Sequence, residues 1–185
     1  MPARLKFYVD VERCIACYGC QVACSSAHEV PVEINRRKVI TLNEGIEGQE
    51  VSSSIACQHC SDAPCAQVCP VQCFYIREDG VVLHDKDICI GCGYCLYACP
   101  FGAPQFLRYG PFDIKGAMDK CTMCAGGPEP TFSHEELHKY GQNRIAEGKV
   151  PMCAAICCTN ALIVGDASRV SEVYRKRVLT RGVSL

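Results

Sequence analysis

The chain has 185 residues, 19 Lys and Arg against 20 Asp and Glu, a formal charge of −1, and 18 cysteines. That balance gives no support for nucleic-acid binding, which favours a basic face, and no run approaches eighteen consecutive apolar residues, so no membrane-spanning helix is expected. The apolar fraction of 49% is inflated by cysteine, Trp is absent and Phe numbers six, so the ordinary core is thin and a small scaffold of this kind needs staples.

The N-terminus runs from Met1 straight into a strand, Lys6–Val9. It shows neither an apolar signal region nor a twin-arginine signal. Cys14, Cys17, Cys20 and Cys24 then read C-x2-C-x2-C-x3-C. We expect a tight loop running into a short helix that carries the fourth cysteine. Asp10, four residues ahead, is placed to bond backbone N–H groups and hold that loop. Residues 25–56 lack a cysteine frame and read as a linker. In it Arg36-Arg37-Lys38 precede Val39-Ile40-Thr41-Leu42, an extended arm with a strand.

Cys57, Cys60, Cys65 and Cys69 repeat the frame as C-x2-C-x4-C-x3-C and end on Pro70. Strands Phe74–Arg77 and Val81–His84 follow, joined by Glu78-Asp79-Gly80, whose Asp-Gly pair signals a hairpin. Cys89, Cys92, Cys95 and Cys99 restore C-x2-C-x2-C-x3-C, end on Pro100, and have Asp85 four residues ahead. The last frame, Cys121, Cys124, Cys153 and Cys157, is split by an x28 insertion. Within the insertion Gly126-Gly127-Pro128-Glu129-Pro130 precedes a helix expected near residues 133–147, with Ser133 and Glu136 as a capping box. A last strand, Ala161–Val164, leads to an amphipathic helix over Ser168–Leu179. Val170, Val173, Tyr174 and Val178 lie on one side of it and Arg169, Arg175, Lys176 and Arg177 elsewhere. Its basic face is either a docking surface or a solvated face.

Sixteen cysteines in four such groups supply every protein ligand of four [4Fe–4S] clusters. Disulfide frameworks do not repeat C-x2-C-x2-C, because neighbours that close are poorly placed to bridge. Zinc ribbons need pairs and not a triplet with a distant fourth ligand. Four such clusters would bring the holoprotein to a charge of roughly −9, so some Lys and Arg should lie beside them. Gly19, Gly91 and Gly93 sit inside cysteine loops, where they serve either as anion-binding nests or as plain turns. No G-x-G-x-x-G or phosphate loop supports a nucleotide cofactor. His28, His59, His84, His134 and His138 need no ligand role, and His59 is expected to face solvent or a partner. Four one-electron centres and no nucleophile–base pairing read as a conductor and not as a catalyst.

In two-cluster runs the fourth cysteine ligates the other cluster. Set A is then Cys14, Cys17, Cys20 and Cys157, and set B is Cys121, Cys124, Cys153 and Cys24. Set C is Cys57, Cys60, Cys65 and Cys99, and set D is Cys89, Cys92, Cys95 and Cys69. The fold class expected is α+β, two interlocked bacterial-ferredoxin-like lobes with two clusters each. Residues 1–50 and 111–167 form the outer lobe, residues 51–110 the inserted lobe, and residues 168–185 a C-terminal helix and tail.

The fourfold motif over residues 4–165 resembles the iron–sulfur β subunits of molybdenum and tungsten oxidoreductase complexes. Lys120-Cys121-Thr122-Met123-Cys124-Ala125-Gly126-Gly127-Pro128-Glu129, and the stretch 139–149, are most similar to the β subunit of formate dehydrogenase. The resemblance implies relay of single electrons between a Mo/W-pterin catalytic subunit and a cytochrome b membrane subunit or soluble acceptor. The same relay in a dimethyl sulfoxide, nitrate or polysulfide reductase or a hydrogenase, and a free polyferredoxin carrier, are the alternatives. It implies either the periplasmic face of the membrane, by co-export with a signal-bearing partner, or the cytoplasm. Three features depart from the pattern. Ser25 follows Cys24 and Cys158 follows Cys157 where Pro is common, so Cys158 is an alternative to Cys157 as last ligand. Cys73 stands where a small residue is usual and reads as a buried structural thiol.

Overall fold

A computed structural model describes residues 4–109, 114–128 and 133–181. The expected boundary at 110/111, Glu129 and Pro130 of the insertion, and the last tail residues lie outside them. The strands pair two by two. β1 (Leu5–Val9) runs antiparallel to β8 (Leu162–Asp166), Leu5 opposite Asp166 and Val9 opposite Leu162, so segments far apart in the sequence meet. β4 (Phe74–Ile76) and β5 (Val82–His84) form the expected hairpin. Gly80 turns it with φ +79°, and a Cβ there would stand 2.9 Å from Arg4 Cγ.

Two further pairs are not expected from the sequence. β2 (Arg37–Leu42) pairs with β3 (Val51–Ala56), which makes a hairpin of the supposed linker arm. β6 (Gln105–Tyr109) pairs with β7 (Ile114–Asp119), with a register shift between Phe106 and Arg108.

Most helices are short. α1 (Gly19–Ala27) carries Cys20 and Cys24, whereas α2 (Pro64–Gln67), α3 (Tyr94–Ala98) and α5 (Met152–Ala155) carry only the third cysteine of their groups. The fourth follows the helix end, a difference from the expected loop-and-helix unit except in the first group. α4 (His134–Tyr140) has the expected Ser133 cap, its Oγ accepting from Glu136 N at 3.1 Å. It stops at Gly141, φ +84°, seven residues short of the expected end. Among the described residues no helix is long and apolar enough to cross a membrane.

α6 (Ala167–Leu179) begins on Asp166, whose carboxylate accepts from the N–H groups of Ser168 and Arg169. It lies on the β1–β8 pair, with Val170 buried and the Tyr174 ring packed at a tilt against Tyr8, 4.3 Å between centroids. Asp10 is buried beneath it and takes Arg181 Nη2 at 2.8 Å and Arg177 Nη1 at 3.2 Å. The expected role of Asp10 is therefore corrected: its carboxylate ties down the C-terminal helix and caps no N–H of the following turn. Asp85 does act locally, accepting from Asp87 N at 2.8 Å. Arg177 is thus drawn inward, while Lys176 on the same helix is 74% exposed. Asp10→Asn is expected to cost about 1–3 kcal/mol, since breaking a buried pair is costly but Arg181 is 37% exposed and screened. Denaturant unfolding of the holoprotein measures it, and an unchanged midpoint would contradict the clamp.

The apolar core is small and built around sulfur. Cys65 and Cys95 pack with Ala63, Val82 and Met118. Cys57 and Cys121 pack with Ala56. Val81, Leu83, Met123 and Ala125 form a separate group.

Candidate iron–sulfur sites

One backbone device recurs in every cysteine loop. The residue before the second cysteine is left-handed in all four: Ala16 (φ 52°), His59 (45°), Gly91 (68°) and Met123 (57°). Tyr18 (58°) and Gly93 (83°) repeat it two residues later in the first and third loops. Such turns aim successive N–H groups into a concavity that suits an anion. Met123 N accordingly donates to Cys121 Sγ at 3.3 Å. Non-glycine residues pay about 1–2 kcal/mol for this conformation, and strain of this kind gathers at functional sites. Gly91 and Gly93 thus take the left-handed positions that either a nest or a tight turn requires. Gly19 does not: it is helical, and Tyr18 before it takes the left-handed position.

A second device follows three of the groups. Gln72 (φ 51°), Gly102 (59°) and Asn160 (51°) each donate N–H to the carbonyl of the cysteine three residues back, Cys69, Cys99 and Cys157, at 3.0–3.2 Å. N–H groups just beyond reach sulfur: Cys73 N to Cys69 Sγ at 3.4 Å and Ala103 N to Cys99 Sγ at 3.5 Å, each the next residue, and, one residue further on, Leu162 N to Cys157 Sγ at 3.5 Å. Asn160 completes this turn after Cys157 without a proline. After Cys24 there is no such turn, because α1 continues through Ala27.

The cysteines meet across the groups. One cavity is lined by Cys57, Cys60, Cys65 and Cys99 together with Ala63, Val82, Pro104 and Lys120. Another is lined by Cys69, Cys89, Cys92 and Cys95 together with Cys73, Phe74 and Phe106. Cys24, Cys121, Cys124 and Cys153 are all buried. The Cys24 thiol is pushed up by burial and then by neighbouring Cys121, Cys153 and Cys124. Cys14, Cys20 and Cys157 are half-buried and Cys17 exposed. Their segments are joined where α1 packs on α5 and Asp10 N donates to Ala161 O at 2.8 Å. Cys158 is exposed.

Buried cations stand among these thiols. Arg37 is 2% exposed; its Nη1 donates to Ser54 O and Oγ at 3.3 and 3.1 Å, while its Nε and Nη2 have no hydrogen-bond partner among the described residues. Burial works against its charge, but neighbouring Cys153, Cys121, Cys20 and Cys24 outweigh burial and raise its pKa. Lys120 is 0% exposed, and its Nζ donates to the carbonyls of Val82 and Cys121. Among the described residues neither has a carboxylate partner. Arg36, by contrast, meets buried Asp119 at 2.8 Å, and Lys86 shares that carboxylate at 3.1 Å. Buried cations without a carboxylate partner, Lys120 on the wall of a thiol-lined cavity and Arg37 among thiols, fit an anionic occupant, and the donor set, all sulfur, fits an iron–sulfur core. Burial, above all other causes, raises Cys65 and Cys153 to about 11 and Cys95 and Cys124 to about 12. These thiols ionise at neutral pH only against bound cations. Among the described residues no three His, Cys, Asp or Glu converge as a single-ion site.

Three residues are placed differently from expectation or beyond it. His59 does not face solvent: it is 0% exposed and its Nδ1 accepts from Val82 N at 3.1 Å. Cys73 is buried as expected, but its sulfur lies 3.5 Å from Cys69 Sγ on the wall of a cysteine cavity. His28 Nε2 lies 3.0 Å from Cys124 Sγ, a contact between residues 96 apart that no local pattern reveals.

Residues 50–130 match the family model described as a 4Fe-4S dicluster domain. The protein is 68% identical, over 97% of its length and 90% of the relative, to the formate dehydrogenase iron-sulfur subunit of Wolinella succinogenes. It is 35% identical to the B subunit of the anaerobic dimethyl sulfoxide reductase of Escherichia coli, over 95% of its length and 78% of the relative. It is 36% identical to the thiosulfate reductase electron transfer subunit of Salmonella typhi, over 94% and 85%.

Proposed function

We propose, because this protein belongs to the family of iron–sulfur subunits of formate dehydrogenase and of the dimethyl sulfoxide and thiosulfate reductases, that it is the electron-transfer subunit of a formate dehydrogenase. Its partner is then a Mo/W-pterin catalytic subunit, with a cytochrome b or soluble carrier as acceptor. The subunit itself breaks no substrate bond. The sixteen cysteines of sets A to D would hold four [4Fe–4S] clusters, which when bound take up and pass on one electron at a time.

The observation that carries this reading is the crossed lining of the two cavities. Cys99 closes the set of Cys57, Cys60 and Cys65, and Cys69 closes the set of Cys89, Cys92 and Cys95. The same crossing in sets A and B is supported by the β1–β8 pairing and by Cys24 among Cys121, Cys124 and Cys153. Two interlocked lobes follow, residues 51–110 within 1–50 and 111–167. The sets also adjoin in a fixed order. Cys20 neighbours Cys153, Cys121 packs with Cys57, and Cys65 neighbours Cys95. A line A–B–C–D, with B wholly buried, supports a conductor entered at one end and left at the other. The turn closed by Asn160 favours Cys157 over exposed Cys158 as last ligand of set A.

Anaerobic purification with iron and sulfide analysis tests this. About sixteen iron atoms per molecule are expected; zinc, or far less iron, would defeat it. Cys157→Ser is expected to lose about four of them, and Cys158→Ser none. Co-purification of a large molybdenum or tungsten subunit active on formate checks the partner, and a reductase in its place would reassign the complex while leaving the relay intact.

A further inference from the structure

We propose that His28 is a positioning residue whose Nε2–H donates to the Cys124 thiolate and raises the reduction potential of the cluster held by set B. The inference rests on the reading of Cys24, Cys121, Cys124 and Cys153 as ligands and goes beyond it to how that site is tuned.

His28 follows Cys24 by four residues, at the C-terminal end of α1. Residues so spaced lie on one helix face, so a single face supplies a ligand from Cys24 and an N–H toward a second ligand. The ring is 3% exposed, with Nε2 3.0 Å from Cys124 Sγ. An imidazole carries an N–H on at least one of its ring nitrogens. A ligating thiolate only accepts, so that proton belongs on Nε2.

Both sides of the contact are fixed. Cys124 O accepts from Arg144 N at 2.8 Å and Ile145 N at 3.2 Å, which locks the sulfur's backbone. Gly141 backs the ring: a Cβ there would fall 1.8 Å from His28 Nδ1. Gly141 also has φ +84°, so conformation and space both demand glycine at this point. The seat is shaped for the imidazole, while Nδ1 has no hydrogen-bond partner among the described residues.

An N–H donated to a ligand sulfur disperses the charge that reduction adds, and hydrogen bonds to sulfur are among the factors that set cluster potentials. Removing this charge-assisted bond is expected to disfavour reduction about tenfold, or about 59 mV for one electron. The test is an anaerobic EPR-monitored redox titration of the holoprotein and its His28→Phe and His28→Gln variants, with iron counted in each. The expected result is undiminished iron, one midpoint lowered by about 59 mV in His28→Phe, and recovery in His28→Gln, which keeps a donor. Unmoved midpoints, or equal shifts in both variants, would overturn the proposal.

Should His28→Phe shed iron, Gly141→Ala gives the second measurement, since its methyl displaces the ring while His28 and every cysteine remain. A lowered midpoint there supports the donor role, and an unmoved one rejects it. Failure of the underlying reading shows separately, as wild-type protein without its complement of iron.

Discussion

Chelating the iron is expected to unfold the protein. Four-residue helices such as α2 and α5, and the five-residue α3, are far below the roughly 12–15 residues at which an isolated helix becomes marginal in water. Two-stranded pairs are likewise marginal at best alone. The buried groups that join these pieces contain cysteines at their centres. A domain has about 5–15 kcal/mol of stability, whereas a structural metal site in a small protein is worth about 10–16 kcal/mol. Losing even one site is comparable to the whole. Sixteen thiols would then face one another around empty space, with Arg37 and Lys120 buried among them and no anion to offset their charge. Far-UV circular dichroism during anaerobic chelation should show cooperative collapse of strand and helix signal. Recovery should require both iron and sulfide under reducing conditions. Retention of the native spectrum after the iron is gone would contradict the claim that the inorganic cores act as the hydrophobic core.

Lys120→Met should lower the potential of two clusters at once. Lys120 lies on the wall of the cavity of set C, adjoins Cys121 of set B, and is wholly buried. A unit charge acting over 4–8 Å at an effective dielectric of 20 is worth about 2–4 kcal/mol, which corresponds to roughly 80–170 mV for one electron. Methionine fills much of the same volume but withdraws the charge. It also leaves the carbonyls of Val82 and Cys121 without their donor, a loss of about 1–3 kcal/mol in stability for each buried acceptor. Redox titration should find two midpoints shifted downward and the other two nearly in place. A shift confined to one midpoint would place the lysine beside one cluster alone. Lys120→Arg should preserve most of the potential if charge is the cause, and resemble Met if packing is.

The cysteine frames were legible because their spacing is local and repeats four times. The strands β1, β4, β5 and β8 were legible for the same reason, as short apolar runs beside those frames. β3 was not, because Val51-Ser52-Ser53-Ser54-Ile55-Ala56 has no alternation to read; its partner β2 supplies the pattern. Arg36 and Arg37 read only as part of an extended arm, since burial of guanidinium makes sense only beside Asp119 or among thiols far away in sequence. Ala16, Tyr18, His59 and Met123 adopt left-handed backbone that their side chains do not advertise. The early end of α4 could have been read from Gly141, a common C-terminal stop. The Asp10 clamp and the His28–Cys124 contact join positions 167 or more and 96 apart, and only folding brings them together.

The pairing of β1 with β8 carries a consequence for how the protein is made. β1 leaves the ribosome well before its partner, which comes roughly 150 residues later, about 8–30 s at 5–20 residues per second. Throughout that interval Cys14, Cys17, Cys20 and Cys24 wait on an unclosed segment, exposed to oxidants and to stray metal. The middle of the sequence has no such delay, since Cys57 through Cys99 emerge together. Biogenesis therefore runs from the inside outward, and a polypeptide truncated before Leu162 should retain the central sites while its first segment stays open to proteolysis.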